Sequence, residues 1–342
     1  MDAEAKPKYL ESLKLQNFTC FKEADFAFSP GVNAFIGKNG TGTTHIMKAM
    51  YAALRPPTRD IPNYTICLSR LFQNDDLSPL TRIGTPVGRH SEVKGKYGEH
   101  NWSYSLILSG QAIQFGKDNI QGLQPVFIPA LDMMGHTQNF QSAYNGVFLD
   151  FDLTCYDIVT LFNLKSKQGE NALRSETLAK LLGGEVVSDE NNGRFYLQSP
   201  AGKLPMPMAA EGLRKIASLV RILENNWLQP GSVLFWDEPE VNLNPTLMTD
   251  VVKSLLELSR QGVQIFIATH SYVILKELDL QATQEDAVAY FSLESGKEGT
   301  TVHTSDSFAS LKPNAILEHF GSLYDRDISR ATRRSKPIAK MS

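Results

Sequence analysis

Two stretches, "SVLFWDEPE" at 232–240 and "VQIFIATHS" at 263–271, are apolar without alternation until each reaches a polar end. A strand open to water on one face alternates; a strand apolar throughout is covered on both, as in parallel sheets flanked by helices. The residues between them, through Leu258, carry a helical pattern. These two runs set the fold class: α/β, with a mixed central sheet.

The other pieces are read around that sheet. "YLESLKLQNF" and "VNAFIG" read as strands, and residues 91–128 ("EVKGKYG", "NWSYSLILSG", "QPVFIPA") as a small antiparallel patch. "SAYNGVFLDFDLTCYDIVTLFNL" and "SETLAKLLGG" are helical and read as an inserted lobe, "GEVVSDENNGRFYLQS" as a hairpin across an Asn/Gly turn, and Glu211–Glu224 as a helix. The expected organisation is an N-terminal lobe at 1–132, a helical insertion at 133–182, a second part of the core at 183–290, and an extension at 291–342 ending in a basic tail.

The chemistry begins in "FIGKNGTGTTHIMKAM", residues 35–50. Strand, glycine-rich turn and helix follow in order, and Gly37, Gly42 and Thr44 meet the phosphate-loop pattern G-x-x-x-x-G-K-[ST]. Such a loop surrounds phosphates with backbone N–H groups at a helix start, while a hydroxyl holds Mg²⁺ and a lysine reaches the outer phosphates. Thr43 stands where that lysine belongs.

Both apolar strands end in groups that suit the same ligand. Asp237 can join a Mg²⁺ shell, Glu238 can orient and deprotonate a water, and His270 can hydrogen-bond a terminal phosphate or that water. Carboxyl ends of strands are where α/β sheets meet their ligands.

Composition narrows the setting. The 342-residue chain is 42% hydrophobic, with a formal charge of −3, so no global field draws it to nucleic acid. Its longest apolar runs are strand-sized and "MDAEAKPK" lacks a secretion signal's order, so a cytoplasmic location without membrane contact is expected. Cys20, Cys67 and Cys155 are scattered and read as buried thiols. Arg326, Arg330, Arg333, Arg334, Lys336 and Lys340 make a basic tail, read as a mobile end with nucleic acid or a partner as its candidate contact.

The order of glycine loop, "AAEGLRK", "LFWDEPEVNLNP" and "ATHSYVILKEL" resembles the ABC-type ATPase heads of the SMC, RecF and OLD group, often labelled AAA-family ATPases. Within that group it is most similar to small ATPases of bacterial anti-phage defence modules such as Septu, PARIS and retron systems. The resemblance implies a P-loop fold of ABC type that binds ATP and Mg²⁺. It gives nucleotide-binding roles to Gly37, Lys38, Asn39, Gly40, Thr41, Gly42, Thr43, Thr44 and His45, metal roles to Thr44, Asp237 and Gln73, and catalytic roles to Glu238 and His270. It places Gly212 in a signature motif that meets nucleotide on a second copy, with Asn242–Pro245 at the D-loop. Ala210 and Glu211 depart from the serine-glycine-glycine form of transporters.

The expected function is an ATP-hydrolysing, self-associating switch that governs a separate effector, a nuclease or a toxin. Loss of the lysine predicts slow or absent turnover with binding retained. Three explanations for Thr43 stand together: a lysine-to-threonine replacement in an otherwise intact site, a natural inactive scaffold, or Lys38 acting in the lysine's place. A DNA-gripping repair ATPase and a transporter subunit are the other classes, the latter disfavoured by "DEPEVNLNP" and the missing signature serine.

Overall fold

A computed structural model describes residues 8–86, 89–107, 113–117, 125–146, 149–164, 173–189 and 193–334. The central sheet is formed by β3 (Val32–Gly37), β7 (Val126–Ile128), β11 (Val233–Asp237), β12 (Gln264–Thr269), β13 (Val288–Gly296) and β14 (Gly299–Ser305), in the order β14-β13-β3-β12-β11-β7. Its pairings are parallel except that of β13 with β14. Every residue of β3, β7, β11 and β12 is buried, which is the physical meaning of their unbroken apolar runs.

One face of this sheet carries Phe127, Phe235, Phe266, Phe35 and Phe291 on neighbouring strands. Phe28 meets Phe266 edge-on at 4.9 Å, and Phe26 and Phe28 both reach Phe35 and Phe291. An antiparallel sheet thus docks on the central one through aromatic packing. That sheet is built from β1 (Leu10–Phe18), β2 (Phe21–Ala27), β4 (His90–Tyr97), β5 (His100–Ile107) and β6 (Ile113–Lys117), in the order β2-β1-β4-β5-β6.

Helix α1 (Thr43–Leu54) touches both sheets: it packs on β3, β11 and β12, and Tyr104 of β5 donates its hydroxyl to the Ala49 carbonyl at 3.5 Å. Tyr51 of α1 also meets Phe127 and Phe235. α2 (Tyr64–Phe72) follows it, and further on come α3 (Phe140–Gly146), α4 (Leu153–Asn163) and α5 (Glu176–Leu182). Asp157 of α4 takes two hydrogen bonds from Arg55, at 2.7 and 2.9 Å, and one from Tyr51 at 2.7 Å, which fastens α4 to the end of α1. β8 (Glu185–Asp189), β9 (Arg194–Ser199) and β10 (Gly202–Pro205) form a third sheet.

α6 (Glu211–Glu224) precedes β11, while α7 (Pro245–Arg260) and α8 (Tyr272–Gln281) follow β11 and β12. α7 packs on β12 and β3. The last element among the described residues is α9 (Ala315–Arg334).

Four expectations change. "QPVFIPA" does not extend the antiparallel patch: its β7 pairs parallel with β11, because the run is apolar enough to be covered on both faces. β2, of which only Phe21, Ala24 and Phe26 are buried, pairs along β1 and adds a strand between the two that the sequence suggests. The basic tail is helical through Arg334, and Lys336 and Lys340 lie outside the described residues. Cys20 is half-buried rather than buried, unlike Cys67 and Cys155.

Candidate functional site

The loop "GKNGTG" leaves the carboxyl end of β3 and opens α1. Gly42 has φ +96°, and a Cβ there would fall 2.6 Å from Cys20 Sγ and 2.8 Å from the Phe21 ring, so conformation and space both demand glycine. Thr41 turns back on the loop, giving its N–H and its hydroxyl to the Lys38 carbonyl at 3.2 and 2.8 Å. No side chain caps α1. Its first amide groups are left to a ligand, and a helix start favours an anion.

Thr44 donates its hydroxyl to Asp237, lying 3.0 and 3.3 Å from the two carboxylate oxygens. Asp237 ends β11 and is 7% exposed. Burial pushes its carboxyl up to about 6, a rise that the Thr44 hydrogen bond opposes. A buried anion beside a hydroxyl fits Mg²⁺, which takes one or two protein oxygens and completes its shell with phosphate and water. Among the described residues no group of three or more His, Cys, Asp or Glu could hold a metal by itself.

Glu238, the next residue, is in the left-handed region at φ +46°. Its N–H continues the sheet by bonding the Ala268 carbonyl at 2.9 Å, so the turn starts only after the strand pairing has ended. His270 Nε2 lies 3.8 Å from Glu238 Oε1, and both side chains are about one-third exposed. The His270 N–H is held by Glu240 Oε1 at 2.7 Å.

A cleft of about 690 Å³ unites these parts: Lys38, Asn39, Gly40, Gly42, Thr43, Thr44, His45, Glu238 and His270 line it. Gly37 and Thr41 shape the loop behind that surface. Two expected residues lie apart. Gln73 caps the end of α2 at φ +50°, and its amide donates to Asp150 at 3.2 Å, which engages it away from the cleft. Gly212 opens α6, where a Cβ would sit 2.8 Å from the Asn242 carbonyl; it faces the turn after β11 of its own chain.

The cleft also has a wall that sequence reasoning missed: Thr19, Cys20, Pro79, Arg82, Ile83, Gly296, Lys297 and Gly299. Long-range pairing assembles it, with the Arg82 N–H on the Asn17 carbonyl and the Thr300 N–H on the Cys20 carbonyl. Ile83 is 94% exposed. Lys48, one helical turn past Thr44, is ion-paired with Asp152 at 2.6 Å and donates to the Leu71 carbonyl, so it does not replace the missing lysine. Lys38, Arg82 and Lys297 are the basic side chains on the cleft itself.

The fold is that of the ABC-type P-loop heads found in SMC proteins. Residues 12–92 match a family profile described as "AAA domain", and residues 165–276 match one described as "AAA domain, putative AbiEii toxin, Type IV TA system". The Smc head domain of Pyrococcus furiosus, with an extended coiled coil and bound to the C-terminal domain of ScpA, superposes with a TM-score of 0.59 at 14% identity, covering 92% of this chain and 99% of that one. An SMC head bound to the C-winged helix domain of ScpA gives 0.56 at 16% identity, over 87% and 97%.

Similar curated proteins match over shorter spans. The DNA replication and repair protein RecF of Renibacterium salmoninarum is 48% identical over 42 residues, 12% of this chain and 11% of its own. Protein ea59 of Escherichia phage lambda is 24% identical over 271 residues, 73% of this chain and 47% of its own. The chain therefore spans less than half the length of these relatives. Among the described residues no helix is long and apolar enough to cross a membrane.

Proposed function

We propose that this chain binds Mg²⁺–ATP at the start of α1 and acts as a self-associating switch that governs a separate effector protein. One observation carries the reading: Thr44, Glu238 and His270 meet on one glycine-loop cleft, with Asp237 behind it on Thr44, although they come from three different strand ends. In this reading the loop amides from Gly37 to His45 hold the phosphates. Thr44 and Asp237 are the groups that would hold Mg²⁺, which when bound neutralises charge on the outer phosphates. Glu238 orients and deprotonates the attacking water, and His270 contacts the terminal phosphate. Gln73 serves the metal only after leaving Asp150, and the Gly212 end of α6 meets nucleotide on a second copy.

Thr43 limits this chain. A charge-assisted contact to phosphate contributes about 1.5–3 kcal/mol, and more in a transition state, so turnover is slow while binding persists. The match of residues 165–276 to a profile named for a toxin–antitoxin system supports a bacterial defence setting with a nuclease or toxin as effector. The test compares Mg²⁺–ATP binding and hydrolysis by this chain and by Thr43→Lys, alone and with the product of a neighbouring gene. Binding by both and hydrolysis by the lysine form alone supports the reading; a lysine form that neither binds nor hydrolyses ends it.

The RecF matches favour a second reading, a repair ATPase that grips DNA. It requires salt-sensitive DNA affinity that falls when Arg330, Arg333 and Arg334 are neutralised together.

A further inference from the structure

Lys215 is the fifth residue of α6, three residues past Gly212, and is 1% exposed. Among the described residues it is the one lysine in the interior. Burying an ammonium is expensive, and a helix packed on a sheet is made more cheaply with Leu or Met at such a position. The charge therefore answers a local need.

Its Nζ donates to the Glu238 carbonyl at 3.1 Å. That carbonyl belongs to the residue held at φ +46°, and it also accepts the Val241 N–H at 3.2 Å. Two donors thus converge on the peptide that fixes the direction of the Glu238 carboxylate. Three residues earlier on α6, Gly212 presses against the Asn242 carbonyl. The helix grips the 238–243 turn at both ends. From that turn Glu240 reaches the His270 N–H, while its second carboxylate oxygen is buried without a hydrogen-bond partner. Burial lowers the Lys215 pKa, and Glu240, Glu211, Glu238 and Asp132 oppose that fall, so carboxylates surround the ammonium.

We infer that Lys215 is a positioning residue that ties the opening turn of α6 to the Glu238 peptide, so that a ligand or second copy engaging the helix start sets the carboxylate and His270 of the same chain. The inference rests on the ATPase reading of the cleft. It makes α6 the link between the two nucleotides of a closed pair: its first residues face one, and its fifth residue orients the acid that serves the other.

The test uses the full chain carrying Thr43→Lys, with and without Lys215→Met, a replacement of similar length that lacks the donor. The expected result is a kcat lowered about tenfold or more with KM changed by less than about twofold. The melting temperature falls, because Met leaves the Glu238 carbonyl and the surrounding carboxylates without the ammonium. Amide exchange at Val241, Leu243 and His270 becomes faster. A lysine that merely supports the fold gives the lower melting temperature with kcat preserved, and that overturns the inference. If the Thr43→Lys chain hydrolyses nothing, the ATPase reading fails separately, and the exchange measurement still decides: unchanged protection of those three amides overturns the tie.

Discussion

Thr44 donates its hydroxyl to Asp237 at 3.0 Å across 193 positions of sequence. The contact joins the first turn of α1 to the last residue of β11, and it leaves a carboxylate in a site where burial disfavours its charge. Between its unfolded value near 3.8 and about 6, the folded protein binds more protons at Asp237 than the unfolded chain does, so stability falls as pH rises through that window. Asp237→Asn is expected to raise thermal stability at pH 8 by about 1–2 kcal/mol and to change little at pH 4. The same variant is expected to lose any stabilisation by Mg²⁺–ATP. Melting curves at the two pH values, with and without Mg²⁺–ATP, check both effects.

Cys20 offers a direct probe of the cleft. Its Sγ lies 3.3 Å from the Thr41 carbonyl and the residue lines the pocket, whereas burial pushes the Cys67 and Cys155 thiols up to about 12. A thiol reagent is expected to modify Cys20 first, and nucleotide is expected to slow it. Intact-mass measurement followed by peptide mapping reads the order of labelling. Modification that begins at Cys67, or a rate indifferent to nucleotide, contradicts this account.

The Arg55–Asp157 pair sets how firmly α4 is held to the end of α1. Arg55 is pushed above its ordinary pKa because its hydrogen bonds to the Asp157 carboxylate outweigh burial, and both side chains are largely hidden from water. Asp157→Asn leaves the guanidinium inside without its countercharge, at an expected loss of about 3 kcal/mol. Urea unfolding measures it, and a loss below about 1 kcal/mol would place the pair among ordinary surface contacts.

Arg260 holds Asp286 with two hydrogen bonds, at 2.8 and 2.7 Å, and draws its carboxyl down to about 2. A depressed carboxylate contributes stability above its unfolded pKa, and that contribution disappears as pH falls from about 4 toward 2. Half of Arg260 is open to solvent, so the expected contribution is about 1 kcal/mol. Comparing acid unfolding of the native chain and Asp286→Asn isolates it: the difference between the two should be present at pH 6 and gone near pH 2.

The central sheet was legible because its signal is local. Leu234, Phe235 and Trp236, or Ile265, Phe266 and Ile267, need no distant information to declare that both their faces are covered. The helix at Glu211–Glu224 shows the same clarity, since its apolar spacing repeats over several turns. What escaped depends on partners far along the chain. β7 reveals its parallel pairing only beside β11, and Arg82 and Ile83 enter the cleft only because Phe18 bridges Thr81. Gln73 shows the limit of a short pattern. Its position after α2 fits the motif, yet Asp150, which takes up its amide, arrives 77 residues later. Lys215 had no signal of its own, because one basic residue on an amphipathic helix reads as solvated until its burial is seen.

Glu238 sits in a backbone geometry that glycine would occupy with less strain. Relaxing the peptide by that exchange would firm up the molecule and strip away its acid in one stroke. Selection for ruggedness alone would therefore pull this position toward glycine.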